Sequence, residues 1–267
     1  MDINFQLHCW GKEFSNYSLM RHRDFAGHLA TGKNSGTHWV KYMICLALAE
    51  HYGVAPPEFF NADATNAFMG NPKNVVPLPG LPRLASSHTI PGFAYDLPLL
   101  RGSSPYPPAA VLVRDLRDVL ISHYEKWKDH YGVTWSEFLR GRMGKRGFRM
   151  DIWWYLHFMN RWGDAIRMLS GEVISVKYED VRADPAPSIL AILNHFGLGI
   201  SNDIIERAVA ASSKDAMEQK IDPDHPERIL RKEEARIEDY FWGDDLDFFH
   251  TTLRKNLRHD FGYDYGA

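Results

Sequence analysis

Short apolar runs alternate along the chain with longer stretches in which apolar residues recur every three or four positions. The short runs Phe25–Thr31, Ala109–Val113 and Glu172–Tyr178 are each followed by turn residues, and this pattern predicts strands. Arg83–Ser86 is a further candidate that is less apolar. We therefore expect several short strands separated by helical segments.

The longer stretches predict amphipathic helices, because their apolar residues return to one face at the helical period. They are Gly36–Tyr52, Asp115–Tyr131, Ile152–Leu169 and Pro187–Phe196. Gly53 and Gly132 follow the first two helices, at the position where a left-handed residue closes a helix. The recurrence of strand then helix predicts an α/β fold with a central, mostly parallel sheet flanked by helices.

Proline-rich segments interrupt this pattern. Asn71–Pro82 and Ser103–Pro108 are expected to be loops near the rim of the sheet, because proline removes a backbone donor and fixes φ. The chain from Asp215 onward mixes charged and aromatic residues, and we expect it to form loop and helix that wrap the site. A length of 267 residues suits one domain spanning residues 1–267.

Composition narrows the expected partners. With a net charge of −3, the chain has no global attraction to nucleic acid or to an anionic membrane surface, so we expect a small-molecule partner. The two cysteines, Cys9 and Cys45, do not suggest a disulfide framework. No signal-peptide pattern opens the sequence and no apolar stretch reaches about 18 residues, so we expect a cytoplasmic protein without a membrane span. His22 and His28 lack accompanying carboxylates, and no metal is expected.

The segment ATGKNSGTHWVKY (30–42) joins the first predicted strand to the first predicted helix. The unpaired N–H groups of the helix start, with the small residues Gly32, Ser35 and Gly36, would let an anion approach. An ordinary turn with a serine cap explains the same residues, and the sequence leaves both interpretations open. The segment is not a nucleotide-kinase P-loop, because Thr37 stands where that motif requires lysine.

A second strand-to-helix junction reads VRDLRDVLISHY (113–124). Arg114 lies at the end of the strand, and Ser122 lies about two turns into the helix. Both would face one phosphate only if the chain folds back across Arg114. Alternatively, Arg114 pairs with Asp118, and Ser122 bonds to a preceding carbonyl.

Three motifs occur in the order found in one enzyme family: SGTHW at 35–39, VRDLRDVLIS at 113–122 and VKYEDVRADP at 176–185. Together they resemble the sulfotransferases that use 3'-phosphoadenosine 5'-phosphosulfate (PAPS), over roughly residues 25–232. The chain looks like a cytosolic-type, bacterial small-molecule member. The resemblance implies a three-layer architecture like that of P-loop nucleotide kinases. It also implies transfer of the sulfuryl group to the hydroxyl or phenol of a small molecule, which leaves adenosine 3',5'-bisphosphate (PAP).

In that family a loop that reads Y-P-K-S-G-T-T-W cradles the 5'-phosphosulfate. The matching positions in this chain are Lys33, Asn34, Ser35, Gly36, Thr37 and His38. The resemblance also implies that Trp39 stacks on the adenine ring and that Tyr178 approaches its edge. Without the family, Trp39 as a core residue and Tyr178 as a strand-end anchor explain the sequence equally well.

Further positions carry the resemblance beyond the loop. The family's arginine and serine at the 3'-phosphate correspond to Arg114 and Ser122. Its late R-K-G motif, which touches the same phosphate, corresponds to Arg231 and Lys232. The segment PRLASSHTIP resembles the family's P-R-x-x-K-T-H-x-P, so His88 is implied as the general base. Imidazole suits that role at neutral pH, because its ordinary pKa is about 6.5.

The chain departs from the family pattern at its cations. Asn34 stands at the position of the loop lysine, and Lys33 falls where the family has proline. Ser86 replaces a second lysine, and Glu233 replaces the glycine of R-K-G. A donor aimed at the charge that develops on the leaving phosphate is worth about 3 to 4 kcal/mol. We hypothesise that Lys33, with its long flexible stem, supplies the missing charge and acts in catalysis together with His88.

Two other functions stay open at this point. A non-catalytic PAPS or PAP binder would explain the missing lysines. A nucleotide-dependent kinase would need a magnesium carboxylate, for which only Asp115 is available, and a cradle lysine after glycine, which is absent. The sequence does not identify the acceptor. The aromatic residues that could line an apolar site for it are Phe59, Phe60, Phe68, Phe93, Tyr95, Trp153 and Trp154.

Overall fold

The computed structural model describes residues 25–72, 78–92, 96–97, 107–142, 150–224 and 235–266, together with Ile3, residues 5–7 and Cys9. The candidate site residues Arg231 and Lys232 lie outside the described residues. Phe93 and Tyr95, which were considered for the acceptor site, also lie outside them.

Five short strands form the central sheet: β1 (Gly27–Thr31), β2 (Met69–Gly70), β3 (Leu84–Ser87), β4 (Ala109–Val113) and β5 (Val173–Lys177). Their order across the sheet is β2-β3-β1-β4-β5, and every neighbouring pair is parallel. The carboxyl ends of the strands therefore share one edge. In open α/β sheets, ligands bind at that edge, at the strand on whose two sides the following strands are added. Here that strand is β1, because β2 and β3 lie on one side of it and β4 and β5 on the other.

Helices join and cover the strands. In chain order they are α1 (Thr37–Tyr52), α2 (Ala62–Asn66), α3 (Leu116–Tyr131), α4 (Trp135–Leu139), α5 (Ile152–Met168), α6 (Tyr178–Ala183), α7 (Pro185–His195), α8 (Asn202–Ala210), α9 (Lys214–Glu218) and α10 (Gly243–Asn256), with a 3-10 helix at Ile237–Asp239. Gly53 and Gly132 close α1 and α3 in the left-handed conformation, with φ of 65° and 60°. The sequence predicted both of these helix ends.

The sheet is buried on both faces, because alternate residues of each strand point to opposite sides. Ala109, Val111 and Val113 of β4 belong to one core, which also contains residues of α3, α5 and α10. Ala110 and Leu112 belong to the other core, which contains residues of α1, α7 and α8. One core on each face gives three layers and confirms the predicted α/β class, with the sheet parallel throughout.

The predicted elements are confirmed with small shifts at their ends. β1 begins at Gly27 rather than Phe25. Tyr178, which the sequence placed in β5, is the first residue of α6. The last predicted helix begins at Pro185, because a proline in the first turn loses no hydrogen bond. Strand β2 and the helices α2, α4, α6 and α9 were missed, since each has at most six residues and is too short to show a clear period. Helix α8, of nine residues, was also missed, although its apolar residues lie on one face.

Candidate functional site

The loop between β1 and α1 is bent by two residues in the left-handed region. Asn34 has a φ of 58°, which asparagine tolerates better than most residues, and Gly36 has a φ of 83°. A Cβ on Gly36 would lie 2.4 Å from the ring of Tyr178, so only glycine fits there. A Cβ on Gly32 would lie 2.8 Å from the Ser35 hydroxyl. The loop is therefore as tight as its small residues allow.

Helix α1 begins at this loop without a side-chain cap. Gly36 is the N-cap residue and offers no side chain, and the first helical turn carries no acidic residue. Ser35, which the alternative interpretation made the cap, is buried with 2% of its surface exposed. The N–H groups at the helix start therefore remain for an anion, with the helix dipole adding partial positive charge. This is the geometry of an anion cradle rather than that of a serine-capped turn.

Arg114 extends from the end of β4 to the β1–α1 loop. Its Nη1 donates to the carbonyl of Asn34 over 2.9 Å, and its guanidinium carbon lies 4.6 Å from the centroid of the Tyr178 ring. Its Nε is buried and finds no hydrogen-bond partner within the part of the chain that the structure describes. Within that part it also forms no ion pair with Asp118. An incoming phosphate oxygen would satisfy such a buried guanidinium nitrogen.

Two aromatic rings form a wall beside Arg114. Trp39 and Tyr178 meet edge to face, with ring centroids 6.5 Å apart. The indole Nε1 of Trp39 donates to the carbonyl of Ser212 over 2.9 Å, which fixes the orientation of the ring. Both rings are partly buried against the core that contains α1. A planar base could stack at this wall, next to the start of α1.

His88 follows β3 and contacts the end of β1. Its Nδ1 lies 2.9 Å from the carbonyl of Thr31 and 3.1 Å from the Thr31 hydroxyl, which lies 2.8 Å from the Thr37 hydroxyl. Because a carbonyl only accepts, Nδ1 carries the proton and Nε2 keeps a lone pair. Desolvation lowers the pKa of this imidazole to about 4, and the charge of Lys33 acts in the same direction. His88 is therefore neutral at pH 7 and can accept a proton at Nε2.

One face of α5 supports both loops of the site. The Tyr155 hydroxyl donates to the carbonyl of Lys33 over 3.0 Å, and the Phe158 ring packs beneath the same loop. One turn further, Trp162 Nε1 donates to the carbonyl of Thr89, next to the histidine, over 3.0 Å. Residues at these spacings lie on the same side of a helix. A single rigid element therefore sets the position of the β1–α1 loop relative to the imidazole.

Lys33 brings positive charge to the loop at the position before Asn34. Its ammonium is close enough to lower the pKa of both His88 and His123. Asn34, at the position of the family lysine, contributes its carbonyl to Arg114 instead. The charge of Lys33 therefore acts on the imidazole of His88.

Of the other predicted residues, His38 also acts on this group, since its charge lowers the pKa of His88. Ser122 lies half-buried in α3, and the described residues provide no hydrogen bond from its hydroxyl to a preceding carbonyl. His38 packs its ring 6.4 Å from that of Phe60. The predicted residues that contact one another directly are Asn34, Gly36, Trp39, Arg114 and Tyr178, and His88 meets this loop through Thr31 and Thr37.

The aromatic residues considered for an acceptor site belong mostly to the hydrophobic cores. Phe60, Phe68 and Trp154 are each at most 5% exposed. Phe59 and Trp153 are partly exposed, and they are the described members of the set that could still reach an acceptor.

Several residues that shape the site were missed. The sequence analysis did not single out Thr31, Tyr155, Arg161 or Trp162. Arg161 is buried and donates from Nε to the carbonyl of Pro91 over 2.9 Å, so it holds the segment after the histidine. Buried polar side chains within an apolar helix were the available signal, since such groups need partners.

Buried neutral histidines make the stability of the fold depend on pH. Burial lowers the pKa of His28 and His123 to about 3, and desolvation lowers that of His88 to about 4. Below about pH 6.5 the unfolded chain protonates these groups and the native chain does not. We expect the free energy of unfolding to fall as the pH falls from 6.5 towards 5, by up to about 1.4 kcal/mol per pH unit for each histidine.

Urea unfolding at a series of pH values between 5 and 7 measures this slope. A His123→Phe variant, which keeps the ring stacked on Phe138, should show a smaller slope because one titrating group is gone. Constant stability across this range, or stability that rises as the pH falls, would contradict the expectation.

Comparison with known proteins bears on this arrangement. The model of the sulfotransferase domain family matches residues 28–236. No curated protein matches the chain significantly.

In the described part of the chain, no helix is long and apolar enough to cross a membrane. Nor does that part hold a group of three or more His, Cys, Asp or Glu side chains placed to bind a metal ion.

Solved structures with a similar fold have low sequence identity. Retinol dehydratase in complex with androsterone and the inactive cofactor PAP is 16% identical, with 95% of this chain and 88% of that chain covered and a TM-score of 0.57. A mouse sulfotransferase complexed with PAP is 15% identical, with 91% and 90% covered and a TM-score of 0.59. A proposed steroid sulphotransferase of Arabidopsis thaliana is 16% identical, with 96% and 84% covered and a TM-score of 0.61. At these identities the likeness shows the fold.

Proposed function

Because the chain belongs to the sulfotransferase domain family, we propose that it transfers the sulfuryl group of PAPS to the hydroxyl or phenol of a small molecule and releases PAP. The observation that carries this proposal is the meeting of Arg114 with an uncapped helix start beside an aromatic wall. A helix start and a buried guanidinium next to two edge-to-face rings fit an adenosine that carries phosphate at both ends.

The residues present fit this donor. The start of α1 has no side-chain cap, and the buried Nε of Arg114 lacks a partner among the described residues. In our proposal Lys33, Thr37 and the start of α1 hold the 5'-phosphosulfate, and Arg114 holds the 3'-phosphate. Further contacts are predicted from Ser35, His38 and Ser122, and from Arg231 and Lys232 outside the described residues.

PAPS supplies an activated sulfuryl group, and the bond from sulfur to the 5'-phosphate oxygen is the one that breaks. His88 Nε2 accepts the proton of the acceptor hydroxyl as the acceptor oxygen bonds to sulfur. The N–H groups of α1 and the ammonium of Lys33 stabilise the charge left on the phosphate oxygen. As in phosphoryl transfer, positioning and electrostatics supply most of the rate.

The acceptor is proposed by class. Androsterone, present with retinol dehydratase, is a hydroxyl-bearing small molecule, and the net charge of −3 does not favour nucleic acid as a substrate. The cytoplasmic location expected from the sequence stays a prediction.

The rival kinase activity would need Asp115 for magnesium. That carboxylate instead caps α3, accepting from the N–H of Arg117 over 2.8 Å, and it also accepts from the Arg117 side chain over 2.6 Å. The side chain is therefore already occupied, which disfavours the kinase.

Ligand-dependent stability followed by a transfer assay tests the proposal. With PAP at about a hundred times its dissociation constant, the free energy of unfolding should rise by about 2.7 kcal/mol. Mass spectrometry should then detect sulfated products from PAPS and a panel of phenols and hydroxylated lipids. Stabilisation by ATP with magnesium but not by PAP would favour the kinase, and PAP binding without any sulfated product would favour a non-catalytic binder.

Replacement of Arg114 should separate the two phosphates of the ligand. We expect Arg114→Gln to weaken PAP binding by about a hundredfold, because truncating one partner of a buried charge pair costs about 2 to 5 kcal/mol. Binding of 5'-AMP, which lacks the 3'-phosphate, should weaken much less, through loss of the Arg114 bond to the carbonyl of Asn34 alone. Calorimetric titration with both ligands measures this, and Arg207→Gln, which removes an exposed arginine paired with Glu50, is the control. Equal losses for the two ligands would contradict the assignment.

A further inference from the structure

The C-terminal tail that follows α10 contacts the ends of two strands. The Tyr265 hydroxyl accepts from the backbone N–H of Leu116, the first residue of α3, over 3.3 Å. The Tyr265 ring is 5% exposed, packs on Phe249 of α10 and lies 5.4 Å from the guanidinium carbon of Arg117. Arg117 also donates to the carbonyl of Asp264 over 3.1 Å. The tail is therefore attached to the start of α3.

The same tail is attached to the junction of β5 and α6. The Tyr263 hydroxyl donates to one carboxylate oxygen of Glu179, and the other oxygen accepts from the backbone N–H of Asp115 over 3.1 Å. Lys177 donates to the carbonyl of Gly262 over 3.1 Å, and its ammonium lies 4.7 Å from the centroid of the Tyr263 ring. Glu179 thus joins the tail to both junctions.

The residues held in this way are the immediate neighbours of the candidate 3'-phosphate site. Arg114 precedes Asp115 and Leu116, and Tyr178 lies between Lys177 and Glu179. Their contact, 4.6 Å from guanidinium carbon to ring centroid, crosses from one junction to the other. The tail therefore holds the residues next to both ends of that contact.

The two arginines near the start of α3, Arg117 and Arg114, differ in their hydrogen-bond partners. Arg117 is engaged by both carboxylate oxygens of Asp115, at 3.1 and 2.6 Å, as well as by the carbonyl of Asp264. Arg114 keeps an unpartnered buried Nε within the described residues. Of these two arginines, Arg114 is the one that reaches the β1–α1 loop.

We propose that Tyr263 and Tyr265 are positioning residues for recognition of the 3'-phosphate, acting through the contact between Arg114 and Tyr178. This inference rests on the proposed function, because it takes a donor with a 3'-phosphate as the ligand. The tyrosines hold the β4–α3 and β5–α6 junctions in a fixed position relative to each other. The guanidinium of Arg114 can then bind the 3'-phosphate without a prior rearrangement.

Titration of the full-length protein with PAP and with 5'-AMP tests the inference. Tyr265→Phe keeps the ring and removes the acceptor of the Leu116 N–H, and Tyr263→Phe removes the donor to Glu179. Tyr240→Phe is the matched control, because its hydroxyl donates to the carboxylate of Glu125 over 2.6 Å in another part of the fold.

The expected result is a loss of PAP affinity of about tenfold for each tail variant, a size typical of losing one hydrogen bond that involves a charged or buried group. The affinity for 5'-AMP and both affinities of the control should stay within about twofold of wild type. Such a difference between the ligands would not follow from general destabilisation. Tyr263 is partly exposed, so its variant serves if the other does not fold.

The inference is overturned if PAP affinity is unchanged in both variants, or if PAP and 5'-AMP weaken equally. A wild-type protein that binds PAP no better than 5'-AMP would refute the proposed function, and this inference with it. The wild-type comparison and the variant comparison therefore report the two failures separately.

Discussion

Sulfuryl transfer by a His88→Ala variant should be slower by about two to four orders of magnitude, which is the usual contribution of a positioned general base. The reason lies in the tautomer, because Nδ1 is bound to the carbonyl of Thr31 and Nε2 is left to accept the proton of the acceptor. Turnover at saturating PAPS and acceptor measures the effect. PAP affinity should change little, since the proposed phosphate contacts do not include the imidazole.

The control for this variant is His51→Ala, which removes an exposed histidine from the last turn of α1. Its turnover should match that of the wild type. The pH profile gives a second check, since the pKa of His88 is lowered to about 4. The value of kcat/KM should stay constant from neutral pH down to about 5 and fall only as the pH approaches 4. Unchanged turnover without the imidazole would exclude it as the base.

A Lys33→Met variant should lose about two to three orders of magnitude in turnover, because one donor aimed at developing charge is worth about 3 to 4 kcal/mol. The position of the family lysine is held by Asn34, which bears no charge and has a left-handed φ of 58°. The charge of Lys33 lowers the pKa of His88, so it acts on the imidazole that we propose as the base. Single-turnover rates with PAPS measure the loss at the chemical step.

Lys126→Met is the matched control, because Lys126 is exposed on α3 and lowers the pKa of His123 but not that of His88. Its transfer rate should equal that of the wild type. Lys33→Arg should recover part of the rate, since it restores charge with a different geometry. A methionine variant with wild-type turnover would show that another group carries the charge.

Most strands of the sheet could be predicted, because each is a short apolar run that is followed by residues typical of turns. Ala109–Val113 is buried at every position, and a strand covered on both faces reads as a continuous apolar run. β2, of two residues, has no such pattern. It forms because Met69 and Gly70 pair with β3. The local sequence does not predict this contact.

The candidate site could be predicted in part for a similar reason. Arg114 stands at a strand end, and in a parallel sheet the strand ends share an edge. The fit of the Tyr178 ring against Gly36 could not be predicted, because it depends on the packing of segments far apart in sequence. The bond from Tyr155 to Lys33 spans 122 residues and involves a tyrosine in an apolar helix, where the sequence favours a core role.

Insertions in α5 would disturb the site, because Tyr155, Phe158 and Trp162 contact it from one face of this helix. From Tyr155 to Trp162 the helix rises about 10 Å, and one inserted residue would rotate the indole by about 100° away from its carbonyl. The spacing between the β1–α1 loop and the segment of His88 is thus set by the pitch of one helix. A change in the length of α5 between these residues would therefore uncouple the loop from the histidine segment.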